Sequence, residues 1–424
     1  MLSIFELASA LLVLCALFGF LNRSLLHLPN SVGLLLLGLV ASLLLIAVEL
    51  IFPEERFYGQ LEDGLRQIDF TEVVFNGMLA FLLFAGALHV NFNTLRRRAG
   101  IVAYLAIIGT VVSTGIIGVA FCLITQWVGV PVPLPWALVF GALISPTDPV
   151  AVLSMLKDVK LPASLKVEAE GEALFNDGVG VVLFTLLLGI AASNEQFNAT
   201  TAVIDLVKEA GGGIALGLVS GYVAYRAMRA IDDFPIEVLI TLALVTGTYA
   251  IAQRIGVSGP IATVAAGLLV GHRAPKDAMS DTTQQYVSAL WTLIDEVLNS
   301  VLFLLIGLEV LVLDSKPIYF VVAALAIPAA LLARFGAVAL PLLAPFRKKR
   351  PPNSHVYFLT WAAVRGGISI AMALGLPASE YKPVILMATY GIVLFSIVVQ
   401  GLSLGKVTRR LGLVPDEKGH DPVP

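Results

Sequence analysis

Charge is scarce in this chain. Only 13% of its 424 residues are Asp, Glu, Lys or Arg, against 58% hydrophobic, whereas a soluble domain carries about 25% charged residues. With a mean hydropathy of +0.90, that shortage excludes a soluble enzyme or a nucleic-acid-binding module and points to an all-α polytopic membrane protein with the lipid bilayer around it. Cysteine is nearly absent. Cys15 and Cys122 lie far apart in apolar runs, which argues against a disulfide framework or a thiolate metal site. The five histidines, at 27, 89, 272, 355 and 420, show no HExxH or other metal spacing, and nothing calls for a cofactor. The N-terminus has no basic stretch and no small-residue cleavage site, so it reads as a first span, not a signal peptide. Gly211-Gly212-Gly213 lacks the Lys-Ser/Thr that a phosphate loop needs and reads as close helix packing or flexibility.

Apolar runs are plentiful. A span needs about 20 mostly apolar residues, and about thirteen segments qualify: 4–21, 31–51, 72–90, 100–125, 134–156, 167–191, 203–228, 236–253, 257–271, 286–311, 317–345, 354–376 and 383–407. With the N-terminus outside, 19 of the 27 Lys and Arg fall in inside loops and six outside, as the bias of cationic residues toward the cytoplasm requires. Residues 1–411 then form the membrane domain and 412–424 a short cytoplasmic tail. Span 5 is interrupted by Ser145-Pro146-Thr147-Asp148-Pro149, and span 12, seven spans later, by Arg365-Gly366-Gly367. The odd offset puts the two in opposite orientations, the pattern of an inverted repeat whose broken helices form a binding site.

The remaining chemistry sits inside the spans. An ionisable side chain at bilayer depth costs at least ~2.5–3.5 kcal/mol, so each is a functional candidate. In span 5, two prolines bracket Asp148. Each lacks an N–H and disfavours helical geometry in the residue before it, so freed carbonyls, the Thr147 hydroxyl and the Asp148 carboxylate make an oxygen-rich break. Span 6 carries Glu168, Glu170, Glu172, Asn176 and Asp177. Glu168, Glu172 and Asn176 share one stripe at helical spacing, and Glu168 and Glu170 read as a solvated helix end facing Lys157 to Lys166. Glu172 lies deeper and needs a cationic partner. Arg334 and Arg365 are the basic residues within spans, and Arg334 is the preferred partner, with Asn176 in the same network. Asp177 is then left free beside Asp148. Oxygen ligands suit hard cations, and a carboxylate there holds a proton or a small cation but not both. A polar cluster in span 10, Asp295-Glu296 to Asn299-Ser300 and then Glu309, suits a dimer-facing or cavity-lining role as well as a functional one.

The pair Ser145-Pro146-Thr147-Asp148-Pro149-Val150-Ala151-Val152-Leu153 and Glu172-Ala173-Leu174-Phe175-Asn176-Asp177 resembles the paired signature of the NhaP/NHE-type monovalent cation/proton antiporters, the cation/proton antiporter family CPA1. Leu305-Ile306-Gly307-Leu308-Glu309, Arg334 and Val364-Arg365-Gly366-Gly367-Ile368 match that family's later segments in order. The resemblance implies an NhaA/NhaP-like fold and a homodimer, with a dimerisation part from spans 1–3 and 7–10. It also implies an ion-translocating core from spans 4–6 and 11–13, moving like an elevator around crossed spans 5 and 12. Carried onto this chain, Asp177 binds the Na+ or Li+ ion and the proton, and Thr147 and Asp148 help form the site. Glu172 and Arg334 are the structural ion pair holding Asn176, and Arg365 balances the charge of the crossing. Asn176 stands where electrogenic relatives have a second Asp, which implies electroneutral, 1:1 exchange. Ala173 departs from the pattern, since many members have a serine there that helps coordinate the ion. The resulting expectation is a Na+(Li+)/H+ antiporter, not an enzyme, in a cell (inner) membrane with its C-terminus cytoplasmic. K+/H+ exchange on the same scaffold is the near alternative. A cation channel is a remoter one, as is an intramembrane hydrolase using Asp148 and Asp177, for which no companion glycine motif is evident.

Overall fold

Inside a bilayer no water is available to backbone N–H and C=O groups, so each apolar run must satisfy its own hydrogen bonds as a helix. The computed structural model describes residues 4–51, 70–148, 161–193, 199–313, 316–343 and 353–413, and every regular element among them is helical. In chain order these are α1 (Ile4–Leu21), α2 (Asn30–Ile51), α3 (Leu79–His89, reached through Phe70–Glu72 and a π-helical turn at Val73–Met78) and α4 (Phe92–Ala103). A second π-helical turn, Tyr104–Gly109, leads into α5 (Thr110–Val128). There follow α6 (Leu134–Ile144), α7 (Ala163–Ser193), α8 (Ala199–Met228), α9 (Phe234–Ile255), α10 (Gly259–Asp277), α11 (Asp281–Leu308) and α12 (Pro317–Leu343). The chain closes with α13 (Asn353–Trp361), α14 (Gly367–Leu374), α15 (Lys382–Phe395) and α16 (Leu402–Arg410), the last two joined by the π-helical stretch Ser396–Gly401.

Local chemistry sets many of the boundaries. The side chains of Asp233, Ser258 and Ser280 accept from the backbone N–H groups of Ile236, Ile261 and Thr283 and so cap α9, α10 and α11, the acceptors those orphan donors need. Gly129 and Gly256 end α5 and α9 with φ of 88° and 69°, a left-handed conformation that glycine adopts without steric cost.

Among the described residues, eight helices are long and apolar enough to cross a membrane, fewer than the thirteen spans expected. Spans 5 and 12 fall short because each is broken. α6 stops at Ile144 and the far half of span 5, with Pro149, lies outside the described residues, while span 12 is divided into α13 and α14. The expected spans 7, 9 and 10 are the long helices α8, α10 and α11, which carry more polar residues. Span 4 is longer than expected, since α4, the π-helical turn and α5 run on from Phe92 to Val128.

Two neighbourhoods of helices pack against each other. In one, α3, α8, α9, α10 and α11 surround Trp291, whose ring lies 4.6 Å from that of Phe84 and whose Nε1–H donates to Thr241 Oγ1 at 3.1 Å. The glycine triplet serves close packing, because a Cβ on Gly213 would stand 2.7 Å from the Ser258 carbonyl oxygen, an approach that small residues permit between membrane helices. In the other, α7 packs on α4 and α6, α12 on α5 and α15, and α14 on α6 and α15. α2 lies along α11, and α7 and α10 join the two neighbourhoods.

Candidate functional site

The site forms where the two broken helices meet. α6 ends because Pro146 cannot continue it, and Thr147 and Asp148 leave the helix in irregular backbone. α13 ends at Trp361, and residues 362–366 cross beside that break before α14 begins. The Asp148 backbone N–H donates to the Val364 carbonyl at 2.8 Å, so the crossing strands satisfy each other where no water could. Gly366 makes the approach possible, since a Cβ there would fall onto the Asp148 carboxylate. α7 packs equally close, with Gly180 against the Pro146 ring.

α6 and α13 both bring the negative ends of their dipoles to the crossing, and each meets an arginine. The Arg365 guanidinium donates through Nη1 to the carbonyls of Ser145 at 2.5 Å and Pro146 at 2.7 Å, at the end of α6. Arg334 donates from Nε and Nη2 to the Leu359 carbonyl in the last turn of α13, at 3.4 and 3.2 Å. Arg334 also grips Glu172 with both Nη groups, Nη2 to Oε2 at 2.7 Å. Both partners are buried, and the fork-to-fork geometry is the strong form of such a pair. Arg365 is held in turn by Ser396, whose hydroxyl accepts from its backbone N–H at 3.0 Å and donates to its carbonyl at 3.1 Å.

Among the described residues Asn176 makes no hydrogen bond to the Glu172–Arg334 pair. Its Nδ2 donates to Thr147 Oγ1 at 2.9 Å and its Oδ1 accepts from the Thr147 backbone N–H at 3.3 Å. The amide is therefore a clamp on the span 5 break. The physical reason is reach: α7 packs directly on α6, which brings Asn176 to the N–H and hydroxyl that Pro146 leaves without helical partners. Asp177, the next residue, is 1% exposed. Its Oδ2 is buried without a hydrogen-bond partner among the described residues, and the Asp148 carboxylate and Arg365 both act on it electrostatically. Ala173, one turn before, is also buried and offers no hydroxyl.

The structure thus brings Thr147, Asp148, Asn176, Asp177 and Arg365 to one place, with the Glu172–Arg334 pair alongside. Gly366, part of the interruption expected in span 12, belongs to the same assembly, and so do Ser396 and the Leu359 carbonyl. A serine and a leucine carbonyl carry no pattern in the sequence that marks them. Glu168 and Glu170 are not a solvated helix end. Both are buried, and they pair with Arg98 at 3.2 Å and Lys166 at 3.7 Å. The span 10 cluster lies elsewhere, on α11: Asn299 Nδ2 donates to the carbonyl and Oδ1 of Asp295 at 2.7 and 3.0 Å, and Asn30 of α2 donates to Ser300 Oγ at 3.1 Å. Among the described residues no group of three or more His, Cys, Asp or Glu side chains could hold a metal ion. The crossing instead offers two carboxylates, a hydroxyl and backbone carbonyls, a donor set of hard oxygens suited to a small cation as cargo.

Comparison with known proteins agrees along almost the whole length. The family model described as "Sodium/hydrogen exchanger, transmembrane" matches residues 7–410. The chain is 41% identical over 411 residues to the Na(+)/H(+) antiporter NhaP of Pseudomonas aeruginosa, covering 96% of each protein. It is 32% identical over 390 residues to the Na(+)/H(+) antiporter NhaH of Halobacillus dabanensis, covering 91% of this chain and 93% of the relative. In fold it is similar to the sodium proton antiporter MjNhaP1 from Methanocaldococcus jannaschii at pH 8, with a TM-score of 0.75 at 21% identity over 95% of this chain and 97% of that one.

Proposed function

The chain belongs to the transmembrane sodium/hydrogen exchanger family, and from that premise we propose that it exchanges Na+ or Li+ for H+ with a stoichiometry of one to one, using Asp177 as the group that holds either ion. The observation that carries this reading is the buried Asp177 Oδ2 with no hydrogen-bond partner among the described residues. An ionised carboxylate out of water is penalised by several kcal/mol unless something neutralises it. A proton or a cation does so equally, and the two exclude each other. Thr147 and Asp148 supply the further oxygens a cation needs. With every acid ionised, the three carboxylates Asp148, Glu172 and Asp177 face the two guanidinium groups of Arg334 and Arg365. One bound H+ or Na+ brings this set to neutrality, and Asn176 adds no charge of its own.

The same arithmetic gives coupling. Moving a core with one uncompensated charge through the bilayer costs more than moving a neutral one, so the loaded core crosses and the empty core does not. The moving part comprises α4–α7 and α12–α16, sliding against α1–α3 and α8–α11, which form the contact of a homodimer. The protein works in a cell (inner) membrane with its C-terminus in the cytoplasm. Ala173 removes a ligand oxygen that Na+ would use, so K+ is the competing cargo. The test is ΔpH-driven flux of Na+, Li+ and K+ in proteoliposomes. Asp177→Asn and Asp177→Ala are expected to abolish exchange of all three, and normal exchange in either variant would sink the assignment.

A further inference from the structure

We infer that Glu237 is a second proton-binding carboxyl, separate from the crossing, and that its bound proton keeps the buried seam between α9 and α11 neutral. The inference stands apart from the Asp177 reading. Glu237 lies in the first turn of α9, immediately after the exposed stretch 231–236. It is 0% exposed. Its Oε1 accepts from the Thr283 hydroxyl of α11 at 3.3 Å, and its Oε2 is buried with no hydrogen-bond partner among the described residues. One turn further along α9, Thr241 Oγ1 accepts from Trp291 Nε1–H, and the Trp291 ring packs on Phe81 and Phe84 of α3. The carboxyl thus sits between an exposed turn and an aromatic interior.

The charges that act on Glu237 most strongly are acidic, Asp232 and Asp233, and Asp281 opens α11. A helix N-terminus favours negative charge, but Asp233 already takes that place on α9 by capping the Ile236 N–H. Cations on the neighbouring helix ends are engaged with other groups. Arg229, just after α8, pairs with Asp277 of α10 at 3.8 Å. Arg273 lies over the Tyr225 ring at 5.9 Å, and Lys276 Nζ faces His272 Nε2 at 3.3 Å. Arg226 in the last turn of α8 and His89 at the end of α3 are not among the groups that act most strongly on Glu237. An unpaired ionised carboxylate is so costly to bury that the group takes up a proton instead. A cation would need several oxygen ligands. The crossing offers them, whereas α9 and α11 are continuous helices whose carbonyls serve their own backbones, and Asp233 is held as a cap. The exposed turn beside Glu237 lets its proton exchange with water on the face that carries Arg229, away from the crossing.

The test is the infrared C=O stretch of a protonated carboxyl, recorded at neutral pH on the full chain in liposomes for wild type, Glu237→Gln and Asp177→Asn. Wild type should show a band that Glu237→Gln loses and Asp177→Asn retains. Because Glu237 holds a proton and no cation, the band in Asp177→Asn should be unchanged when Na+ is added at constant pH. A wild-type spectrum for Glu237→Gln means that the carboxyl is ionised and overturns the inference. A band that Na+ removes in Asp177→Asn makes a cation the occupant and also overturns it. Melting in detergent gives a second readout. The folded chain holds one proton that the unfolded chain releases, so this site's stability falls as pH rises, by up to about tenfold in the unfolding constant for each pH unit. Glu237→Gln should therefore flatten the fall of melting temperature toward alkaline pH, and an unaltered slope counts against the inference. Should Glu237→Gln not fold, Thr283→Val in the Asp177→Asn background removes the donor to Oε1 and should move the band to higher frequency. An unmoved band overturns the assignment to Glu237.

Discussion

Four acids on α7 meet three kinds of surroundings. Glu168 and Glu170 take surface cations, Arg98 and Lys166. Glu172 takes Arg334 in a buried fork, while Asp177 Oδ2 has no hydrogen-bond donor among the described residues. Removing one partner of a buried pair leaves an uncompensated charge, which costs about 3–5 kcal/mol. Arg334→Ala should therefore lower the melting temperature in detergent sharply, and pairing it with Glu172→Ala should restore part of the loss. A wild-type melting curve for Arg334→Ala would contradict the pair's structural role. Thr147→Val keeps the backbone donor to Asn176 but removes the hydroxyl acceptor, leaving a buried amide N–H unmatched at about 1–3 kcal/mol. It should lower thermal stability and weaken cation affinity together. Direct competition at Asp177 has its own signature: the apparent KM for Na+ should rise by up to roughly tenfold for each pH unit of acidification in the range where the proton competes. Initial rates at fixed ΔpH and varied absolute pH check this, and a pH-independent KM would contradict it.

At the scale of elements, the crossing is a device for ending two helices in the middle of a membrane. Arg365 covers the last carbonyls of α6, Arg334 those of α13, and Gly366 lets Asp148 stand against the other strand. Gly366→Ala pushes a methyl group into that carboxylate. Overpacking of this kind costs about 1–3 kcal/mol, and here it falls on the site itself. Exchange should fall at least tenfold with a smaller effect on melting, and normal exchange would show that the close approach is not required. These elements differ in how far the sequence reveals them. The break in span 5 is legible because two prolines leave no helical alternative around Asp148. The Glu172–Arg334 pair is legible by elimination, because so few basic residues lie inside spans. The clamp from Asn176 to Thr147 is not, since an amide in a membrane can serve any neighbour and only the packing of α7 on α6 selects one. Nor are the Leu359 and Ser396 contacts, which depend on where the broken strand between α13 and α14 runs. Lys166, four residues from Glu170, is a legible partner, but the pairing of Glu168 is not, because Arg98 belongs to α4, distant in sequence, and only the α4–α7 packing brings it there.

For the whole molecule, the reading reduces to charge. On the proposed mechanism a bilayer tolerates a moving core when its buried acids and guanidinium groups balance, and with every acid ionised the set of Asp148, Glu172, Asp177, Arg334 and Arg365 is one positive charge short. In the proposed one-to-one exchange, a core loaded with H+ in one direction and Na+ in the other would carry the same charge both ways. The central claim is that one carboxylate, Asp177, exchanges one cation for one proton. It is tested most directly by Na+/H+ exchange in proteoliposomes with the membrane potential clamped by valinomycin at zero and at a negative value, wild type beside Asp177→Asn. The account predicts equal wild-type rates at the two potentials and no exchange in the variant. A rate that changes with potential, or exchange that survives in Asp177→Asn, would contradict it.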